Sequence, residues 1–112
     1  MERLVKGDIV TLNFPFTDLS GFKKRPALVV ATLRGDDVIL CQITTKEKRA
    51  DEYSIELSNS DFLMGKLPRD DCLIRTNCLF TGDKELILAK KGTISKEKLE
   101  EARQKLKEIV SN

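Results

Sequence analysis

Two apolar runs joined by a short polar turn constrain the fold of this chain more than any other feature. The runs are PALVVATL (26–33) and DVILCQIT (37–44), and RGDD (34–37) joins them. Short apolar runs bounded by turn residues are typical of buried strands, and a connection this short favours antiparallel pairing. The sequence therefore predicts a hairpin of two central strands.

Shorter patterns on both sides of the hairpin predict further strands. GDIVTLNF (7–14) and YSIEL (53–57) alternate between apolar and polar residues, as half-buried strands do. CLIRTN (72–77) and ELILAKKGTI (85–94) are strand candidates on either side of a predicted turn, TGDK (81–84). The chain is therefore predicted to be mainly β.

Two stretches are predicted to be irregular. Residues 15–26 contain Pro, Asp, Ser and Gly and are expected to form a loop, with Pro26 beginning the next strand, where a missing N–H is tolerated. Residues 58–71 contain Gly65 and Pro68 and are expected to form one short internal helix or turn followed by loop.

The C-terminal tail predicts an amphipathic helix. Ser95 suits its N-cap, and Ile94 and Leu99 are spaced to pack across its first turn. The apolar residues that recur at helical spacing are Leu99, Ala102, Leu106, Ile109 and Val110. We expect this helix to pack on a small, mostly antiparallel barrel.

Length and composition indicate one domain over residues 1–112. Lys and Arg number 20 and Asp and Glu 18, so a net charge of +2 does not by itself point to nucleic acid. No stretch approaches the roughly 18 to 20 apolar residues that a membrane span needs. We therefore expect a cytoplasmic protein that does not associate with a membrane.

The chain has no histidine and three cysteines. Cys72 and Cys78 are separated by five residues, which is not the spacing of a metal-binding knuckle, and Cys41 lies far from both. The cysteines are expected to be reduced and buried, and no metal site is expected. Any catalysis must proceed without imidazole.

Arg25 is the most constrained charged residue in the sequence. It precedes Pro26 and a core strand, so its guanidinium would be anchored and able to bind a phosphate through two hydrogen bonds. If the two apolar runs pair, Arg25 lies near Thr44. Lys23 and Lys24 are equally consistent with solvated loop charges and with a binding role, and Thr44 and Thr45 also suit ordinary strand ends.

Other polar residues are weaker candidates. Arg75 and Asn77 would share one face of a strand, either to bind a ligand or as part of an exposed surface with a salt bridge. Lys46 begins a basic then acidic stretch that suits a solvated loop or an extended phosphate-binding surface. The candidate binding residues are Lys23, Lys24, Thr45, Lys46, Arg75 and Asn77.

The succession of GDIVTLNFPF (7–16), KKRPALVV (23–30) and CQITT (41–45) resembles the MazF/PemK family of toxin ribonucleases, or mRNA interferases. GTISKEKLEEARQKLKEIV (92–110) resembles that family's closing strand and helix. The resemblance implies an SH3-like barrel that forms a homodimer and cuts single-stranded RNA at short sequences without a metal or other cofactor. It also implies a growth-inhibiting toxin that a small acidic antitoxin neutralises.

The resemblance also implies an active-site pair, the Arg before Pro and the Thr after Ile, which are Arg25 and Thr44 here. Arg75 matches an arginine used by a plasmid-borne branch of the family, but that branch has an Asp where this chain has Asn77, and a His in its first loop. Asn77 and the near-neutral net charge favour an alternative, a non-catalytic SH3-like module that binds protein or nucleic acid, such as an inactive member or a relative that poisons gyrase. The joint presence of Arg25 and Thr44 favours the enzyme.

Overall fold

An antiparallel sheet and a C-terminal helix form the part of the chain that a computed structural model describes, residues 3–15, 21–45 and 51–111. The strands are β1 (Asp8–Pro15), β2 (Phe22–Thr32), β3 (Asp37–Thr45), β4 (Ser54–Leu57), β5 (Phe62–Gly65), β6 (Cys72–Asp83) and β7 (Ile87–Ile94). Their order is β4-β6-β3-β2-β1-β7-β5, and the sheet curls into a half-barrel. Helix α1 spans Lys96–Ser111, and short 3-10 helices span Asn59–Asp61 and Lys84–Leu86. The predicted fold class is confirmed.

Both faces of the central strands are buried, which explains why the two apolar runs are nearly continuous. One core cluster lies under α1 and includes Leu28, Ile43 and Ala102. The other includes Val29 and Leu40. Neighbouring residues of β2 and β3 therefore alternate between two cores, with no solvent-exposed face to require polar residues.

The predicted hairpin is confirmed, but β2 begins earlier than the sequence predicts. β2 and β3 pair from Thr32 and Val38 to Ala27 and Gln42. β2 then continues back to Phe22 because it remains paired with β1. Lys23, Lys24 and Arg25 therefore lie on a strand, and the prediction that they belong to a loop is wrong. They pair with Phe14, Asn13 and Leu12 respectively.

The predicted TGDK turn is also wrong. β6 continues through it to Asp83, because β3 supplies hydrogen-bonding partners as far as Asp37. The chain turns instead in the 3-10 helix Lys84–Leu86. The predicted short internal helix corresponds to the 3-10 helix Asn59–Asp61, and β5 follows it where loop was predicted.

Helix α1 begins as predicted, and the residues in its middle pack on the core. The backbone N–H of Lys98 donates to Ser95 Oγ at 3.2 Å, which confirms the N-cap. Leu99 and Leu106 pack on the core with Ala102, whereas Val110 is 75% exposed and does not continue that face. None of the described helices is long and apolar enough to cross a membrane.

The three cysteines are free thiols, but only two are buried as predicted. Cys41 and Cys72 belong to the core, while Cys78 is half-buried.

Candidate active site

The site lies where the β2–β3 ladder ends. Its last pair is Ala27 and Gln42. The preceding residue on β2 is Pro26, which has no N–H to continue a ladder. Arg25 and Thr44 lie two residues beyond the last pair, on β2 and β3, and both line one cavity.

The cavity has a volume of about 280 Å³ and is rich in positive charge. Its cationic lining residues are Lys23, Lys24, Arg25, Arg69 and Lys91. None of the described lining residues has a carboxylate. Its other lining residues are Thr11, Pro26, Ile43, Thr44, Thr45, Leu67, Pro68 and Cys72. A concave site lined by one sign of charge attracts anions strongly, although the net charge of the chain is small.

Arg25 and Thr44 are held by strands and have polar groups available for a ligand. Arg25 is half-buried, and no hydrogen bond or ion pair joins its side chain to another residue within the described ranges. Thr44 is 6% exposed, and its hydroxyl lies 3.4 Å from the carbonyl oxygen of Thr45, which is long for such a bond. A guanidinium and a hydroxyl can therefore both donate to an anion here.

A bulge in β7 places Lys91 in the cavity wall. Ile9 pairs with Gly92 and Val10 with Lys90, so Lys91 is the extra residue between them. Bulges redirect side chains in this way and are common beside active sites. Lys90 instead approaches the fully buried Asp8, with Nζ 3.4 Å from Oδ1. The sequence alone does not identify Lys91, because nothing in the Lys-Lys doublet shows which lysine faces the cavity.

Arg69 and Thr11 were also missed. Arg69 comes from the segment between β5 and β6, and its Nε lies 3.2 Å from Asp71 Oδ1, so its charge is partly offset. Thr11 lies on β1 opposite Pro26. Neither residue belongs to a motif with a spacing that could have identified it.

Arg75 and Asn77 do not line the cavity that holds Arg25. Arg75 pairs with Gln42 and Ser54, and its Nη2 lies 3.5 Å from Asp51 Oδ2. Asn77 is exposed, in a bulge that interrupts the pairing of β6 with β3. Their role in RNA binding stays a prediction.

The sequence matches the family described as PemK-like, MazF-like toxin of type II toxin-antitoxin system over residues 5–110. The chain belongs to this toxin family. The resemblance stated from the sequence motifs is thereby confirmed, and the cavity of this toxin contains both residues that the resemblance implies as the active-site pair, Arg25 and Thr44.

Solved structures share the toxin fold over nearly their whole length. An endoribonuclease from a mycobacterial species, in complex with its cognate antitoxin, has a TM-score of 0.75 and 15% identity, covering 97% of this chain and 96% of that chain. MazE-MazF (Form-III) from Deinococcus radiodurans has a TM-score of 0.72 and 20% identity, covering 96% of each chain. The Mycobacterium tuberculosis toxin MazF-mt6 has a TM-score of 0.66 and 11% identity, covering 91% of this chain and 96% of that chain. No curated protein matches the sequence.

Asp51 is the carboxylate that lies beside the guanidinium of Arg75 in this toxin. Its Oδ1 accepts hydrogen bonds from the backbone N–H of Tyr53 at 2.9 Å and from Ser54 Oγ at 3.0 Å. These bonds, the Tyr53 N–H above all, and the nearby Arg75 hold the pKa of Asp51 below its ordinary value. Asp51 is therefore ionised at neutral pH and offsets part of the charge of Arg75.

The other residues that the sequence predicts to bind RNA lie either in the cavity or outside the described part of the chain. Lys23, Lys24 and Thr45 line the cavity with Arg25. Lys46 lies outside the described residues. Within the described ranges, no group of three or more Cys, Asp or Glu residues is arranged to hold a metal ion.

Proposed function

We propose that this protein is a sequence-specific, metal-independent endoribonuclease that cleaves single-stranded RNA and acts as the growth-inhibiting toxin of a toxin-antitoxin pair. Its family and its fold neighbours support this proposal. The observation that carries it is the position of Arg25, a half-buried guanidinium without a described protein partner, beside Thr44 in a cationic cavity. That arrangement suits a phosphodiester.

The proposed reaction uses the RNA's own 2′-hydroxyl as nucleophile. The O2′–P bond forms, the P–O5′ bond breaks, the 2′-hydroxyl loses a proton and the leaving 5′-oxygen gains one. The products are a 2′,3′-cyclic phosphate and a 5′-hydroxyl. Arg25 would stabilise the charge that develops on the phosphoryl oxygens, an effect of roughly 3 to 4 kcal/mol for one well-placed donor. Thr44 would donate a second hydrogen bond to the same oxygens.

Proton transfer cannot involve histidine, because the chain has none. Arginine is a poor base, since its pKa is above about 12. Burial raises the pKa of Cys72, which also lines the cavity, so this thiol is neutral at pH 7. We therefore assign Arg25 to charge stabilisation and to donating a proton to the 5′-oxygen, and we assign no general base.

The exposed lysines of the cavity would bind the RNA backbone. Lys23, Lys24 and Lys91 are exposed, so they can follow neighbouring phosphates while Arg25 holds the scissile one. The small volume of the cavity favours a single strand, whose nucleotides can enter one at a time.

The proposed partners are a second copy of the chain and a small acidic antitoxin. Two of the fold neighbours are complexes with an antitoxin or with MazE. In this chain, an apolar groove between α1 and the sheet is lined by Leu79, Leu106 and Val110, with Arg103 and Lys107 beside them. An acidic amphipathic segment would complement that groove in both charge and polarity.

The test is cleavage of a long unstructured RNA by the purified protein in EDTA, with the new 5′-hydroxyl ends mapped. We expect discrete cuts at a recurring short sequence. Arg25→Ala should abolish them while retaining the thermal unfolding transition. Arg34→Ala is the matched control, because Arg34 is exposed beyond Thr32, where the β2–β3 hairpin turns. RNA left intact by the wild-type protein at high concentration would contradict the proposal and favour a non-catalytic binding module.

A further inference from the structure

Thr11 has a buried hydroxyl that no described residue satisfies. The residue is 6% exposed and lines the cavity, and its Oγ1 has no hydrogen-bond partner within the described part of the chain. Its neighbours across the sheet are Pro26 on β2 and Ala89 on β7. Neither side chain can form a hydrogen bond, and proline has no N–H. Because buried polar atoms are rarely left unpaired, this hydroxyl needs an explanation.

The buried lining residues of the cavity, which include Thr11, differ in character from the exposed ones. Ile43, Leu67 and Cys72 are buried, with exposures of 0%, 4% and 4%, whereas Lys23 and Lys91 are exposed. The cavity therefore has a buried, mostly apolar interior and a cationic rim. A nucleobase, with flat apolar faces and a polar edge, fits the interior, while phosphates fit the rim.

We propose that Thr11 is a specificity-determining residue whose hydroxyl binds the edge of a nucleobase next to the scissile phosphate. This inference rests on the proposed function, because it assumes that Arg25 and Thr44 hold the phosphate beside the same cavity. A threonine hydroxyl donates one hydrogen bond and accepts others, so it pairs with a base that presents a polar atom at this position. A base that presents a C–H group there leaves the hydroxyl unpaired and is disfavoured.

Thr11→Val tests this role without removing any hydrogen bond within the described protein. Valine has nearly the shape of threonine, and an unpaired buried hydroxyl contributes nothing to stability. The melting temperature should therefore stay the same or rise. The kcat/KM for the preferred RNA should fall by about 3- to 10-fold, the effect of one neutral hydrogen bond. The preference at one base beside the cut should become weaker, measured with RNAs that differ only at that position.

Thr76→Val is the matched control. Thr76 is buried like Thr11, but it lies outside the cavity, and its hydroxyl donates to the carbonyl oxygen of Tyr53 at 2.6 Å. This substitution should lower the melting temperature and leave the relative kcat/KM values for the RNA set unchanged. Thr11→Val should therefore change specificity without loss of stability, and Thr76→Val should lose stability without a change in specificity.

A second measurement separates this inference from the proposed function. A 2′-O-methyl RNA cannot be cut by its own 2′-oxygen, so its binding is measured without reaction. The RNA has the preferred sequence, or a random sequence if the wild-type protein does not cleave RNA. If the wild-type protein does not cleave RNA, the proposed function fails, and binding alone decides the role of Thr11. Binding about 3- to 10-fold weaker in Thr11→Val supports the inference. Equal binding by the wild-type protein and Thr11→Val would overturn the inference, and so would no binding by the wild-type protein. An unchanged base preference or a lower melting temperature in Thr11→Val would also overturn it.

Discussion

Arg25 and Thr44 lie on neighbouring strands, two residues beyond the Ala27–Gln42 pair at which the β2–β3 ladder ends. Each is still held by another strand, since Arg25 pairs with Leu12 and Thr44 with Leu73. The two side chains are therefore fixed by the sheet rather than by a loop. Groups fixed in this way can stabilise a transition state with little reorganisation.

Thr44→Val should lower kcat about 100-fold with little change in KM, because the hydroxyl is assigned to the transition state. Single-turnover cleavage in EDTA measures this effect. A double-mutant cycle with Arg25→Lys should show coupling, since both groups are proposed to contact the same phosphoryl oxygens. Thr81→Val, at an exposed position on β6, is the control. An unchanged kcat in Thr44→Val would remove Thr44 from the mechanism.

Lys90 and Lys91 should behave oppositely although they are adjacent. Lys91→Ala should reduce the slope of log K for RNA binding against log salt concentration by about 0.7, which corresponds to one lost phosphate contact. It should not change the stability of the protein. Lys90→Ala should leave that slope unchanged. It should lower the free energy of unfolding by about 1 to 3 kcal/mol, because the buried Asp8 loses a charged partner.

Binding isotherms at several salt concentrations and urea unfolding measure the two effects. The opposite pattern, with Lys90 affecting RNA binding and Lys91 affecting stability, would contradict the assignment of the bulge.

The sequence predicts the positions of Arg25 and Thr44 because they depend on one hairpin, whose apolar runs and short turn determine its register. Lys91 could not be predicted, because a bulge against β1 decides which lysine of the pair faces the cavity. β5 was missed for a similar reason. It pairs with β7 through a close approach of Gly65 and Gly92, which leaves no room for a Cβ at either position and no alternating pattern in the sequence.

Cys41 should be unreactive in the folded protein. Burial, with a smaller effect of the nearby Cys78, raises the pKa of Cys41 to about 12, so at pH 8 it is a neutral thiol, which is a poor nucleophile. A thiol reagent at pH 8 should modify Cys78 first, because Cys78 is half-buried. Cys41 and Cys72 should react only as the protein unfolds. Cys78→Ser should remove the fast phase, and a fast phase that persists in this variant would contradict the assignment.

Asp51 should make stability depend on pH on the acid side. Its pKa is lower in the folded protein than the ordinary value of 3.8, so its ionised form stabilises the fold. That contribution is fully present above the unfolded pKa and is lost as the pH falls through the folded pKa. The difference in unfolding free energy between the wild type and Asp51→Asn should therefore be constant well above the ordinary Asp pKa and shrink progressively as the pH falls below it.

Urea unfolding across this range measures the difference, with Asp36→Asn in the exposed hairpin turn as the control for removing one carboxylate. A stability difference that does not shrink as the pH falls below the ordinary Asp pKa would show that it does not come from the charge of Asp51.

Asp51→Asn also tests the role of Arg75, whose Nη2 lies 3.5 Å from Asp51 Oδ2. If Arg75 binds RNA as the sequence predicts, Asp51→Asn should tighten RNA binding at low salt, because the guanidinium loses its competing carboxylate. Unchanged binding would exclude Arg75 from the RNA surface.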